Sequence, residues 1–125
     1  MMDKMISEAQ AIQTYLEITC SDDVHEMLDR LSTLNVYMAR SGLMLADAMQ
    51  LQDRAVRSAY AEHGKLILKM PATVATKFIN SCCDQENRLV KWLDRINATC
   101  KHQSDNLRTQ VSFAKEQLSL ERRGY

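Results

Sequence analysis

Glycine and proline are scarce in this chain, with three glycines and one proline among 125 residues. Sandwiches and barrels turn about every 8–12 residues and build those turns from glycine, proline, asparagine and aspartate. The scarcity excludes an all-β fold and disfavours an α/β fold. The composition therefore predicts an all-α protein, an antiparallel helical bundle or long helical hairpin of three to four helices, two of them long.

No charge of one sign dominates the chain, which has 16 Lys and Arg against 16 Asp and Glu. This balance excludes a strongly basic nucleic-acid binder, or an acidic disordered tail, as a description of the whole protein. No window approaches about 18 consecutive apolar residues, so no membrane span is expected. Residues 1–8 lack the basic start and apolar run of a secretory signal, which predicts a cytoplasmic protein.

Motifs for catalysis and metal binding are also missing. The chain contains no glycine-rich phosphate loop, no G-x-S-x-G and no H-E-x-x-H. Its four cysteines include no C-x-x-C pair, and Cys100-x-His102 does not have zinc-ligand spacing. In a reducing compartment these cysteines are expected to be small buried hydrophobes. The sequence thus predicts a protein that is not an enzyme, with no catalytic residue, no cofactor and no metal.

Helical periodicity is what the sequence does contain. It predicts one domain over residues 1–125, with helices at about 8–20, 22–69, 71–82 and 85–121. Ser7 is a candidate N-cap for the first helix, and Ser21 or Asp22 for the second. Pro71 marks a boundary because proline disfavours helical geometry in the residue before it.

A heptad-like apolar seam runs along the second predicted helix. We predict that this seam forms a homo-oligomer, a dimer or larger, because Met27, Leu34, Ala48 and Ala55 widen the stripe beyond one coiled-coil seam. Glycine inside a helix costs only about 1 kcal/mol, so we expect the helix to continue through Gly42. The seam residues chosen for oligomer contact are Leu31, Asn35, Met38, Leu45, Met49 and Val56.

The middle of the last helix is unusually polar. One interpretation is a polar binding pocket in the bundle core. The other is a solvated face with one buried amide, Gln103, that fixes helix register, as polar seam residues do. If Gln103 meets Asn35 and Gln52, the three form a buried polar layer whose groups must be paired. The candidate polar site consists of Asn97, His102, Gln103, Asp105 and Arg108.

A basic stripe recurs every seven residues on the same helix, at Lys101, Arg108, Lys115 and Arg122. Residues 88–125 carry eight Lys and Arg against four Asp and Glu. Such a line could contact successive phosphates of a nucleic acid. Alternatively it pairs with an acidic neighbouring helix or with water, as heptad flanks commonly do.

Two segments, residues 37–48 and 95–112, carry a resemblance to a known group of proteins. The second contains His-Gln-x-Asp-x-x-Arg-Thr from His102 to Thr109. It is similar to small all-helical proteins of bacteriophage and prophage early regions, which often lie beside single-strand annealing or recombination genes. The resemblance implies an intracellular, phage-associated protein without a catalytic assignment, and marks the candidate polar site as the residues of interest.

Taken together, these patterns favour a non-enzymatic interaction or scaffold protein of a phage or mobile element that self-associates through the seam. The alternative is an accessory protein of nucleic-acid recombination or replication that uses the basic stripe. A small hydrolase or metal enzyme is disfavoured because the motifs for it are missing.

Overall fold

A computed structural model describes residues 1–124 as four α-helices without a β-strand. They are α1 (Met2–Leu16), α2 (Val24–Leu68), α3 (Ala72–Cys82) and α4 (Asp84–Arg122). The prediction of an all-α protein is confirmed. The last three helices begin and end within two residues of their predicted bounds, because their ends are set by local signals.

Those signals are visible at the helix ends. The Asp23 carboxylate accepts a hydrogen bond from the Glu26 amide and caps α2, so the prediction of Ser21 or Asp22 as the cap is wrong by one or two residues. Pro71, with φ at −58°, precedes α3 after a short turn. Cys83 (φ −111°, ψ 23°) interrupts helical geometry between α3 and α4, so these two helices form a bent rod that runs back along α2.

The helix α2 is 45 residues long, which corresponds to about 67 Å. It continues through Gly42, as expected, and departs from helical geometry at His63 (φ −122°, ψ 15°). A β-carbon at Gly42 would lie 3.6 Å from Asn97 Nδ2, which is ordinary contact. The packing inside this chain therefore does not require glycine at that position.

The first helix was predicted wrongly, over residues 8–20 instead of Met2–Leu16. Ser7 is not its N-cap but an exposed residue inside it. The reason is tertiary packing, because the buried stripe of this helix starts one turn earlier than the sequence suggested. That stripe consists of Met5, Ala9, Ile12 and Leu16.

The helix α1 lies along one side of the α2–α4 pair. It runs antiparallel to α2, since Glu8 pairs with Arg40 while the Tyr15 ring lies 5.1 Å from that of Tyr37. The Arg40 guanidinium also holds the pKa of the Glu8 carboxyl below its ordinary value, chiefly through their hydrogen bonds. The three helices enclose the core, and α3 packs only on the far end of α2, where the rings of Phe78 and His63 meet at 5.2 Å.

The buried face of α2 is displaced from the predicted seam by a fraction of a turn. Its centre is a row spaced by seven residues, Met27, Leu34, Ser41 and Ala48. Of the predicted seam residues, Leu31, Met38, Leu45 and Val56 are half-buried at the edge of this row, whereas Asn35 and Met49 are exposed. The facing row of α4 consists of Leu89, Leu93, Ile96, Cys100, Ser104, Leu107 and Val111.

Small side chains let α2 and α4 approach closely at mid-length. Ser41, Ala48, Cys100 and Ser104 are all fully buried. Burial raises the pKa of the Cys83 and Cys100 thiols, which keeps both in the unreactive protonated form. The expectation of buried cysteines is thus correct for these two, but Cys82 is exposed.

Candidate functional site

The candidate polar site divides into two half-buried amides and three solvent-exposed side chains. Asn97 is the first of the amides, and its Nδ2 donates to the carbonyl oxygen of Met38 at 2.8 Å and to Ser41 Oγ at 3.0 Å. The Ser41 hydroxyl itself donates to the same carbonyl at 3.1 Å. These bonds attach α4 to the backbone of α2 and fix the register between the two rods.

Gln103 is the second amide, and it joins all three helices of the core. Its Oε1 accepts from Arg30 Nη2 at 2.9 Å, and its Nε2 donates to the carbonyl oxygen of Leu16 at 3.0 Å. Arg30 also donates to the carbonyl oxygen of Tyr15 at 3.4 Å, and its guanidinium lies 4.7 Å from the centre of the Tyr15 ring. Two carbonyls at the end of α1 thereby gain side-chain donors, and that of Tyr15 also accepts from the Ile18 amide at 3.1 Å.

His102, Asp105 and Arg108 lie on the opposite, exposed side of α4. Arg108 Nη1 is 3.3 Å from Asp105 Oδ1, an ion pair between two well-exposed side chains that contributes little to stability. The structure therefore does not bring the five predicted residues into one pocket. Asn97 and Gln103 hold helices together, and the other three face solvent.

Gln103, Asn35 and Gln52 do not meet, so the buried polar layer that their contact would have produced does not form. Gln52 Nε2 donates to Asn87 Oδ1 at 2.6 Å, near the bend between α3 and α4. Asn35 is exposed, and Gln103 binds Arg30 near the other end of the core. The three amides are separated along α2, so each satisfies its hydrogen bonds with a different partner.

Sequence reasoning missed Arg30, which is 8% exposed and makes no ion pair within residues 1–124. Arginine is rarely buried, so the residue type did not single Arg30 out as part of the core. The available signal was its position, three residues after Met27 and four before Leu34, on the face that those residues define.

The four cations of the basic stripe are all exposed, on one side of α4. From residue 101 to residue 122 the stripe spans about 32 Å. Within residues 1–124, Arg108 is the member that forms an ion pair. The stripe is thus a solvent-facing line of charge on the rod.

The predicted oligomer seam lies on the side of α2 that α1 leaves uncovered. The helix α1 contacts α2 through Arg30, Tyr37 and Arg40. Side chains two positions apart on a helix point to nearly opposite sides, so Leu28, Asn35 and Met38 point away from α1. We define the open face by Leu28, Leu31, Asn35, Met38, Leu45, Met49 and Val56. Its members are exposed or half-buried.

Two clefts flank the core. One, of about 260 Å³, lies beside the end of α1 and is lined by Tyr15, Thr19, Asp29 and Arg30 among others. The larger, of about 690 Å³, lies at the α3–α4 bend beside Gln52 and Asn87. Both are open to solvent, and their walls carry charges of both signs, which gives neither a clear preference for a charged ligand.

Three further findings constrain the site. Within residues 1–124, no three His, Cys, Asp or Glu side chains are grouped closely enough to hold a metal ion. None of the described helices combines the length and apolar character needed to cross a membrane. Comparison with known proteins found no matching family model, no similar curated protein and no similar solved structure.

Proposed function

We propose that this chain is a non-enzymatic helical interaction protein that binds a second copy of itself through the open face of α2. The observation that carries the proposal is the exposed apolar surface there, with Leu28 39% exposed and Met49 49% exposed, beside Leu31, Met38 and Leu45, which pack partly against the core. In line with the resemblance of residues 37–48 and 95–112, we place this protein in a phage or another mobile element.

The spacing of the open face suits an isologous pair of α2 helices. Leu28, Asn35, Gly42, Met49 and Val56 follow one another at intervals of seven residues, so the row is symmetric about Gly42. In a two-fold antiparallel pair centred there, each Leu28 lies opposite the partner's Val56.

Replacing Met49 with glutamate is expected to lower the association constant at least tenfold, because it places a charge in the apolar row. Leu43→Glu is the matched control, since Leu43 is equally exposed but lies on the side of α2 away from both the core and the open face. Sedimentation velocity at micromolar concentration gives the association constants, and circular dichroism verifies that both variants keep their helices. A monomeric parent protein, or equal effects of the two variants, would refute the proposal.

The exposed basic stripe supports a second candidate function, binding to nucleic acid. Its members recur at about 10 Å intervals along α4, so several could contact one phosphate backbone. We expect Arg108→Gln with Lys115→Gln to weaken binding to DNA and to reduce the slope of log affinity against log salt by about two. Arg54→Gln with Arg57→Gln, two exposed cations on α2, serve as the control in a filter-binding titration. Absence of binding at about 50 mM salt would exclude this function.

A further inference from the structure

The helix α4 extends beyond the helices that cover it. Gln103 lies beside Arg30, and because α4 and α2 are antiparallel, the first residue of α2 is level with about residue 109 of α4. Val111 is the last buried residue of α4. We call residues 112–122 the α4 overhang, a length of about 16 Å.

The overhang keeps an apolar row without a covering helix. Leu118 is 48% exposed, although it continues the spacing of the buried row through Leu107, Val111 and Ala114. An apolar row that continues the core period past the end of the core indicates a surface that another helix covers.

The charges at this end of the molecule identify the helix that covers it. The overhang and the residue after it carry Lys115, Arg122 and Arg123 against Glu116 and Glu121, a net charge of +1 with both arginines at the tip, whereas the neighbouring segment 17–29 contains no Lys or Arg. That segment, which we call the acidic end, includes five exposed carboxylates, none of them in an ion pair within residues 1–124. They belong to Glu17, Asp22, Asp23, Glu26 and Asp29.

We infer that the α4 overhang docks on the overhang and acidic end of a second copy of this chain, in a reciprocal two-fold contact. When two overhangs lie side by side and antiparallel, the Leu118 rows face each other. Residue 122 of one copy is then level with about residue 112 of the other, where the acidic end begins. Each copy contributes the cations of its overhang and the carboxylates of its acidic end, so two sets of opposite charges meet.

This contact rests on the proposed self-association but uses a different surface from the open face of α2. Two different isologous contacts on one chain link copies into particles larger than a dimer. The two contacts also differ in physical character. The end contact depends on charge and weakens with salt, whereas the contact through the open face is apolar and responds little.

Charge reversal tests the end contact. Arg122→Glu with Arg123→Glu changes the net charge of residues 112–123 from +1 to −3, and Glu17→Lys with Asp22→Lys and Asp29→Lys changes that of the acidic end from −5 to +1 while sparing the Asp23 cap of α2. We expect each set of substitutions alone to reduce the parent particle to a dimer, and all five together to restore it, because the charges are again opposite. Sedimentation velocity at low and high salt measures the particle mass, and circular dichroism verifies folding.

Combination with Met49→Glu separates this inference from the proposed function. Met49→Glu alone should leave a salt-sensitive dimer, and Met49→Glu with Arg122→Glu and Arg123→Glu should give a monomer.

If charge reversal has no effect while Met49→Glu alone gives a monomer, the end contact is refuted and the open face stands. If Met49→Glu has no effect while charge reversal dissociates the particle, the open face is refuted instead. A monomeric parent protein refutes both, and failure of the five substitutions to restore the particle refutes the charge pairing.

Discussion

Replacing Leu34 with alanine is expected to lower the free energy of unfolding by about 2–5 kcal/mol, the range for removing a large buried aliphatic side chain. Leu34 is fully buried at the centre of the α2 row, where α1, α2 and α4 pack together. Its loss removes apolar contacts and leaves a cavity that the neighbouring helices close only in part. Urea denaturation followed by circular dichroism measures the change.

Val36→Ala is the matched control, because Val36 is an exposed aliphatic residue two positions along the same helix. Its expected effect lies within about 0.5 kcal/mol of zero, since an exposed valine buries little surface and alanine is the better helix former. Equal losses for the two variants would mean that the core does not lie on the Met27–Leu34–Ser41–Ala48 side of α2. The pair therefore tests the rotational setting of α2.

That setting is the part of the fold that could not be predicted from the sequence. Two stripes of side chains with heptad spacing run along α2, at different angles around the helix axis. The first stripe is the buried one and includes Arg30 and Ser41, whereas the second is the predicted seam and contains mostly apolar residues. Counting apolar residues favours the second stripe. The first is nevertheless buried because Arg30 and Ser41 find hydrogen-bond partners on other helices, and small residues allow a close approach. Pairing across 56 and 73 residues is not visible in a local pattern.

Features set by neighbouring residues could be predicted. The all-helical class follows from the few helix breakers, and the boundaries near Asp23 and Pro71 follow from capping and from the geometry of proline. The limits of α1 could not be predicted, because packing of Met5 and Leu16 decides them.

The candidate site shows the same division between local and distant information. Asn97 and Gln103 stand out in the sequence as amides in an apolar stripe, which correctly marked them as unusual positions. Their partners are backbone carbonyls on α2 and α1, about 60 and 90 residues away in the chain. The sequence could therefore indicate that these amides are constrained, but not that they serve helix packing instead of binding a ligand.

Replacing Arg30 with alanine is expected to release α1 while the α2–α4 hairpin stays folded. The change removes hydrogen bonds from a guanidinium that is 8% exposed and leaves Gln103 Oε1 without its donor, whereas the carbonyl of Tyr15 keeps its bond from the Ile18 amide. Bonds to charged groups contribute about 1.5–3 kcal/mol each, so we expect a loss of about 2–3 kcal/mol. Hydrogen exchange should show lost amide protection across Met2–Leu16 and retained protection in the middle of α4.

A double-mutant cycle with Gln103→Ala shows whether the two side chains act as one unit. Both variants break the same bond, so their effects should fall short of additivity by about 1 kcal/mol or more. Arg40→Ala is the control, because it removes a cation that also binds α1 but through an exposed ion pair with Glu8. Additive effects of the first two substitutions, or loss of protection throughout α2 and α4, would show that α1 is not held by the Arg30–Gln103 pair. Retained protection of the hairpin would establish α1 as a separately detachable cover on one side of α2, opposite the open face.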